Sequence, residues 1–457
     1  MTTSLLTDLY ELTMIQAART AGTAQRDCTF EVFTRSLPPG RRYGVFTGTG
    51  RILDAIEQFR FSEADIDFLR SLGRFTDDTL GYLADYRFTG NISAYEEGEL
   101  FFPNSPVLRV DATFEQGVLL ETLILSILNH DSAISSVGSR MALAAGGRPL
   151  IEMGSRRVHE EAAVACARSA AIVGFGATSS IEAGRRYGIP VTGTSAHAFT
   201  LLFDEEADAF RAQIASLGPG TSVLVDTYDI PAAIRAAVDI AGDQLGAIRL
   251  DSGDLAQAAR EARALLDSLG ATSTRITATS DLDEYRVFAL RDAPIDGFGI
   301  GTRLVTGGDY PAQGFVYKLV ERRNAAGQLE PVAKRSQDKA MIGGRKHAFR
   351  VLNADGAAAA ELVLPHRKGE TESAANASEE EIARSVTNQL PEGARLRPLL
   401  KPLVRGGHAV SSPTPWEQIT HGRAVHKASI REVDPSVLTG QDGEQVLPVV
   451  LDPTELR

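Results

Sequence analysis

Cysteine is nearly missing from this chain. Its 457 residues include two, Cys28 and Cys166, far apart and without metal-ligand spacing, which excludes a disulfide framework and a cysteine-based zinc site. Positive charge is also in deficit: 47 Lys and Arg stand against 59 Asp and Glu, for a net charge of −12. A general nucleic-acid binder needs clustered cations for the phosphate backbone, so none is expected here. An anionic small molecule in a locally basic pocket stays open. No window approaches the roughly 18 apolar residues of a membrane span. The first fourteen residues carry Asp8 and Glu11 and lack the basic start and apolar core of a signal peptide. These absences predict a cytoplasmic protein with no nucleic-acid and no membrane partner.

What is present is ordinary in bulk, 43% hydrophobic and 23% charged, and long enough for two or three domains. Its pattern is more informative. Five short apolar runs each finish on small polar or charged residues: Ile189–Thr194, Ser222–Thr227, Ala247–Ser252, Arg275–Ser280 and Asp296–Thr302. Most are separated by stretches of helical period, Pro231–Ile240, Leu255–Leu269 and Leu282–Leu290, with Asp254 and Asp281 placed as N-caps. Pro149–Met153 reads as a preceding strand, and an Ala-rich helix runs through Ala170. Such βα units predict an α/β fold, an irregular β/α barrel whose chemistry gathers at the C-terminal ends of its strands. Around it, Leu9–Ala18 and Ser62–Leu72 read as helices, the latter N-capped by Ser62, and Cys28–Phe33 as a strand. Asn91–Val110 holds short strands, and Glu121–Leu128 is an apolar helix leading inward. Val320–Arg350 suggests antiparallel hairpins, and His366–Glu381 a polar loop. The expected division is 1–130 and 326–457 packing together as a second, α+β domain, with the barrel at 131–325.

The strand ends carry the candidate chemistry. Gly297-Phe-Gly-Ile-Gly-Thr302 offers backbone N–H groups and a hydroxyl to an anion, since glycine permits close approach; a tight turn with close packing is the competing reading. Arg249, Asp251 and Asp254 cluster around one strand end with Gly253 at a sharp turn. A guanidinium there binds a carboxylate or phosphate and the carboxylates a divalent cation or sugar hydroxyls, unless the set is an internal ion pair plus a helix cap. Asp226, Ser280 and Asp281 could act similarly or be caps. His197, beside Thr194, could transfer protons or act as a nucleophile. Arg156 and Arg157 form a candidate anion clamp or a solvated helix start. Tyr10 in isolation reads as packing. A pocket of hydroxyls, glycines, arginines and carboxylates suits a phosphorylated sugar with Mg²⁺, and aldolases, decarboxylases, isomerases and glycosyl-transfer enzymes all answer to it.

Ordered motifs narrow the choice. Thr7-Asp-Leu-Tyr-Glu-Leu-Thr-Met14, Gly154-Ser-Arg-Arg157, Thr178-Ser-Ser180, Gly188-Ile-Pro-Val-Thr-Gly-Thr-Ser-Ala-His197, Arg249-Leu-Asp-Ser-Gly-Asp-Leu255, Gly299-Ile-Gly-Thr-Arg-Leu-Val-Thr306 and Tyr317-Lys-Leu319 resemble nicotinate phosphoribosyltransferase, a type II phosphoribosyltransferase; beyond Val320 the likeness is looser. The resemblance implies formation of nicotinate mononucleotide and pyrophosphate from nicotinate and phosphoribosyl pyrophosphate, with Mg²⁺ and coupled ATP hydrolysis, in a homodimer with sites near the subunit interface. It implies that Tyr10 stacks on the pyridine, that Thr194, Arg249 and Arg156 contact nicotinate, and that Gly299, Gly301 and Thr302, with Ser252, Gly253 and Ser280, hold the phosphoribosyl group. Asp251 and Asp254 are the metal candidates, and His197 matches a transiently phosphorylated histidine. Arg249, Asp251 and His197 form the catalytic set. Two departures stand out: Ala198 where the family often has Ser, and Ser180 where Asn is commoner. A nicotinamide phosphoribosyltransferase is the nearest rival, although a neutral substrate would favour a carboxylate over these arginines. A quinolinate enzyme should be shorter and more cationic, and a non-catalytic phospho-ligand-binding barrel would not need His197, Arg249, Asp251 and Thr302 together.

Overall fold

A computed structural model describes residues 2–334, 342–367, 377–433 and 447–456 and divides the chain into two units, Ile134–Tyr310 and a second made of Met1–Ala133 with Pro311–Arg457.

The middle unit carries six parallel strands, Leu150–Glu152, Ala177–Thr178, Ser222–Leu224, Ala247–Leu250, Arg275–Ala278 and Gly297–Ile300. The last of them pairs with the first, so the sheet curls back on its own beginning. A single parallel bridge from Thr178 to Val191 adds a seventh position. Among the described residues, neighbours in sequence are then neighbours in the sheet everywhere except between Val191 and Ser222–Leu224. The sheet is an irregular barrel with one open seam. The run Ile189–Thr194, expected to be a full strand, is only this bridge. Pro190 has no N–H to donate, so the ladder reduces to Thr178 N–H to Pro190 C=O and Thr192 N–H to Thr178 C=O, both 3.0 Å, and Val191 is half exposed.

The helices between strands form for the reason their spacing suggests. Ile230–Ala241 buries Ala233, Ile234, Ala237 and Val238, and Leu255–Ser268 buries Leu255, Ala259, Ala262 and Leu266, one stripe each at helical period. Asp254 caps the second of these, accepting the N–H groups of Ala256 and Gln257. The helix expected behind Asp281 is shorter, Glu284–Ala289, and Asp283 caps it instead, by accepting the Arg286 N–H.

The other unit is α+β and interleaves both ends of the chain. Its seven-stranded antiparallel sheet has the order Leu329–Pro331, Phe315–Arg323, Asp27–Thr34, Leu108–Thr113, Asn91–Ala94, Lys401–Arg405, His408–Ala409. Phe315–Arg323 was expected inside the barrel domain, whose reading ran to residue 325. Its alternating apolar side chains instead pair with Asp27–Thr34, from Cys28 with Arg322 to Thr34 with Phe315. A four-stranded sheet adds Arg395–Pro398, Lys346–Leu352, Ala358–Pro365 and Val449–Val450. The helices Leu9–Thr20 and Glu63–Ser71 stand close to expectation, with Ser62 and Asp65 closing a capping box on the second. Most of the polar loop read at His366–Glu381 lies outside the described residues, but its end is helix: Glu379–Val386, capped by Ser378.

The apolar helix read at Glu121–Leu128 extends to Ala145. Within Phe114–Ala145 it is long and apolar enough, by length and composition, to cross a membrane, a window the sequence reading did not find. In this fold 67% of that window is buried, so its hydropathy is explained by the core it enters. Cys28 and Cys166 are free and buried.

Candidate functional site

Because all six barrel strands run in parallel, their C-terminal ends share one rim. Arg249 is the third residue of Ala247–Leu250, half-buried between the buried Ile248 and Leu250. Its guanidinium donates from Nη1 to Thr194 Oγ1, while its Nε is buried without a partner. Burial holds it below the usual guanidinium range; Asp251 and Asp226 counter that, and Arg156 adds to it by repulsion. So Arg156, in the turn after Leu150–Glu152, shares an electrostatic neighbourhood with Arg249. Arg156 and Arg157 are exposed and have no carboxylate partner among the described residues. Some other surface arginines of this unit do: Arg185 and Arg186 face Glu182, Arg211 faces Asp208 and Arg303 faces Asp309, whereas the exposed Arg235, Arg260, Arg275 and Arg286 do not, so what marks Arg156 is its place beside Arg249. The Arg156 guanidinium beside a second, Arg249, that keeps a free donor makes a site for a planar anion.

Asp226 and Asp251 end adjacent strands. Asp226 Oδ2 accepts the Asp251 N–H at 2.9 Å and the Ser252 hydroxyl at 2.8 Å, and its Oδ1 is buried without a partner. Asp251 accepts from the Thr279 hydroxyl. Gly253 turns the chain at φ 78°, a conformation glycine adopts freely. Ser280 sits at φ 117°, a strained position for a side-chain-bearing residue that costs about 1–3 kcal/mol and is found where a site over-determines the backbone. His197 opens the short helix His197–Thr200 beside the seam, with Nδ1 3.1 Å from Thr227 Oγ1.

The glycines of the fifth run divide by role. A Cβ on Gly299 would lie 2.6 Å from Met153 Sδ and 2.7 Å from Thr279 Cγ2, so close packing requires this glycine. Gly301 precedes the helical turn Thr302–Val305, whose first N–H groups have no acceptor within it.

Of the sequence candidates, the barrel rim thus gathers Arg156, Thr194, His197, Arg249, Asp251, Ser252, Gly253, Ser280, Gly301 and Thr302. Asp254 caps a helix through its Oδ1, which accepts the N–H groups of Ala256 and Gln257. Tyr10 belongs to the other unit, 44% exposed on Leu9–Thr20, its phenol pushed up to about 12 by burial and by Glu121, Glu11 and Asp8. Sequence reasoning left Asp226 undecided and gave no role to Thr227, Thr178 or Glu152. Asp226 ends the second run and was visible as a polar tip. Thr227 closes the same run and Thr178 opens a quoted motif, but their partners, and any part for Glu152, show only once the strands are paired.

Two models of the nicotinate phosphoribosyltransferase family match the chain: its N-terminal domain over residues 5–129 and the family domain over residues 149–347. The nicotinate phosphoribosyltransferase pncB1 of Mycobacterium tuberculosis is 56% identical over 370 residues, covering 79% of this chain and 81% of the relative. The nicotinate phosphoribosyltransferase of Bacillus subtilis is 38% identical over 361 residues, 77% and 73% of the two chains. In fold, the chain is similar to human nicotinic acid phosphoribosyltransferase, with a TM-score of 0.78 at 23% identity over 97% of each chain. It is also similar to the nicotinate-nucleotide pyrophosphorylase of Pyrococcus furiosus, with a TM-score of 0.72 at 23% identity over 93% and 95%. An α/β barrel whose rim pairs unmatched arginines with hydroxyls and carboxylates, carrying these motifs in this order, belongs to the nicotinate phosphoribosyltransferase family.

Proposed function

We propose that this chain joins nicotinate to phosphoribosyl pyrophosphate, forming nicotinate mononucleotide and releasing pyrophosphate, a step of NAD biosynthesis. The observation that carries the reading is the arginine set: Arg249 with a buried, unpartnered Nε and, in its electrostatic neighbourhood, Arg156, which has no carboxylate partner among the described residues. A carboxylate substrate satisfies both. A neutral amide would leave them facing one another, which is why nicotinate is favoured over nicotinamide.

In the reaction the pyridine nitrogen attacks ribose C1 as the bond from C1 to the pyrophosphate oxygen breaks. Positive charge builds on the sugar and negative charge on the leaving group. Asp226 and Asp251 stand on adjacent strand ends where they can stabilise the first, and the N–H groups after Gly301 with the Thr302 hydroxyl can hold the 5′-phosphate. Thr194 and Arg249 orient the substrate carboxylate. The nitrogen is already nucleophilic, so no strong base is required.

Among the described residues no group of three His, Cys, Asp or Glu is placed to hold a metal. Asp251 with the free oxygen of Asp226 nevertheless fits a Mg²⁺ that takes its remaining ligands from diphosphate and water. That ion would neutralise the leaving group. Phosphorylation of His197 by ATP would change the charge and order of the rim and so couple ATP hydrolysis to substrate affinity. A homodimer in the cytoplasm completes the reading.

The test is a comparison of nicotinate, nicotinamide and quinolinate with phosphoribosyl pyrophosphate, Mg²⁺ and ATP. Nicotinate should be preferred, and a clear preference for nicotinamide would overturn the assignment. His197→Ala should abolish protein-bound phosphate and the effect of ATP on apparent substrate affinity; labelled phosphate retained on that variant would place the modification elsewhere.

A further inference from the structure

Glu152 is fully buried at the end of strand Leu150–Glu152, and its carboxylate touches no cation among the described residues. A buried, uncompensated carboxylate is unfavourable unless its oxygens are hydrogen-bonded. Both are. One accepts the backbone N–H of Gly154 and the other the hydroxyl of Thr178, each at 2.5 Å, and the Glu152 carbonyl accepts the Ser179 N–H at 2.8 Å. The Thr178 hydroxyl in turn accepts the Ser180 N–H at 3.0 Å. The Gly154 carbonyl accepts the Arg157 N–H at 2.9 Å, closing the turn that carries Arg156. A Cβ on Gly154 would lie 2.2 Å from Val305 Cγ1, so the root of this turn is also pressed from the side of the fifth run.

We propose that Glu152 is a positioning residue whose ionised side chain locks the Gly154–Arg157 turn to the Thr178–Ser180 strand end and so aims Arg156 at the substrate carboxylate. The inference rests on the reading of Arg156 as a nicotinate contact. An ionised carboxylate accepts at both oxygens, whereas glutamine, or the protonated acid, accepts fully at only one. The carboxyl therefore has to be ionised for both anchors to hold. Burial raises it above the usual carboxylate range, only partly offset by Thr178 and Gly154, so the lock should open at a less acidic pH than an exposed glutamate would allow.

The experiment measures kcat and KM for nicotinate across about pH 5 to 8 in wild type, Glu152→Gln and Arg156→Ala, and in the double variant. Glu152→Gln should raise KM for nicotinate about 10-fold or more with kcat little changed, a displacement of about an ångström being enough for such an effect. It should also erase the acid limb of the wild-type kcat/KM profile. The double variant should be little worse than Arg156→Ala alone, because both remove one interaction. If Arg156→Ala raises KM while a folded Glu152→Gln leaves both KM and the acid limb at wild type, the positioning role is overturned and Arg156 keeps its own. If Arg156→Ala itself leaves KM unchanged, the nicotinate contact fails and the inference fails with it. Should Glu152→Gln not fold, Thr178→Val removes one anchor alone: a smaller rise in KM is expected, and an unchanged KM overturns the proposal.

Discussion

Two charged clusters in this molecule make opposite use of arginine. In the unit built from the chain ends, Arg350 is fully buried and donates to Glu361 at 2.9 Å, with Glu99 and Glu432 each at 3.4 Å. Arg397 reaches Glu99 at 2.6 Å and Glu432 at 2.7 Å, and Ser429 donates to Glu99. Burial alone would raise Glu99, but the two guanidiniums outweigh it and hold it below the usual carboxylate range. Glu99 comes from the N-terminal segment and its partners from the C-terminal one, so this network ties the two segments together. At the barrel rim Arg156 and Arg157 have no carboxylate partner among the described residues, Arg249 keeps a buried Nε free and Asp226 keeps a buried oxygen free. Charges that satisfy each other hold a fold; charges left unsatisfied in a defined geometry await a ligand.

Breaking each cluster should therefore fail in a different observable. Arg350→Ala strands buried carboxylates and should lower unfolding free energy by about 3–5 kcal/mol, seen as a shift in urea midpoint at unchanged slope. Arg249→Ala should leave that midpoint nearly in place while lowering kcat/KM for nicotinate about 100-fold, some 2.7 kcal/mol of transition-state stabilisation. An equal loss of stability in both variants would erase the distinction. Gly299→Ala sharpens it from the packing side: the added methyl meets Met153 and Thr279 and should cost about 1–3 kcal/mol by overpacking, with any loss of activity following the loss of fold.

The smallest effect concerns a buried acid of the unit built from the chain ends, with no cation partner among the described residues. Glu11 is pushed up to about 7 by burial, only partly offset by hydrogen bonds from Thr122 and Thr7. Raised in the folded state, it binds more protons folded than unfolded between its ordinary value and about 7. Stability from this group is thus fully present at acid pH and falls as pH rises through that window. Wild type should melt at a lower temperature at pH 7.5 than at pH 5 by more than Glu11→Gln does; parallel profiles for the two proteins would remove the effect.

Much of the rim was legible before any coordinate. The runs ending at Asp226, Asp251 and Ser280 lie where expected, because short apolar runs between amphipathic helices have few ways to bury both faces other than a parallel sheet. Arg249 and Thr194 could be nominated from their position at strand ends. The helix cap at Asp254 was also readable. Asp281 was misplaced by two residues, since Asp281 and Asp283 are locally equivalent caps and packing chooses between them.

Local sequence alone determined the α/β class, the succession of strands along the chain, the net negative charge and the residue types at the strand ends, because hydrophobic period, capping chemistry and motif spacing act over a few residues. Only the tertiary structure decided that Phe315–Arg323 leaves the barrel to pair with Asp27–Thr34, that the barrel keeps a seam beside His197, and that Arg156 and Arg249 make no ion pair among the described residues while Arg350 and Arg397 do. Likewise, Glu152 is an unremarkable strand residue until Thr178 is paired beside it. Whether a charge is matched depends on which distant strand lies alongside, and that register is set by burying the whole core.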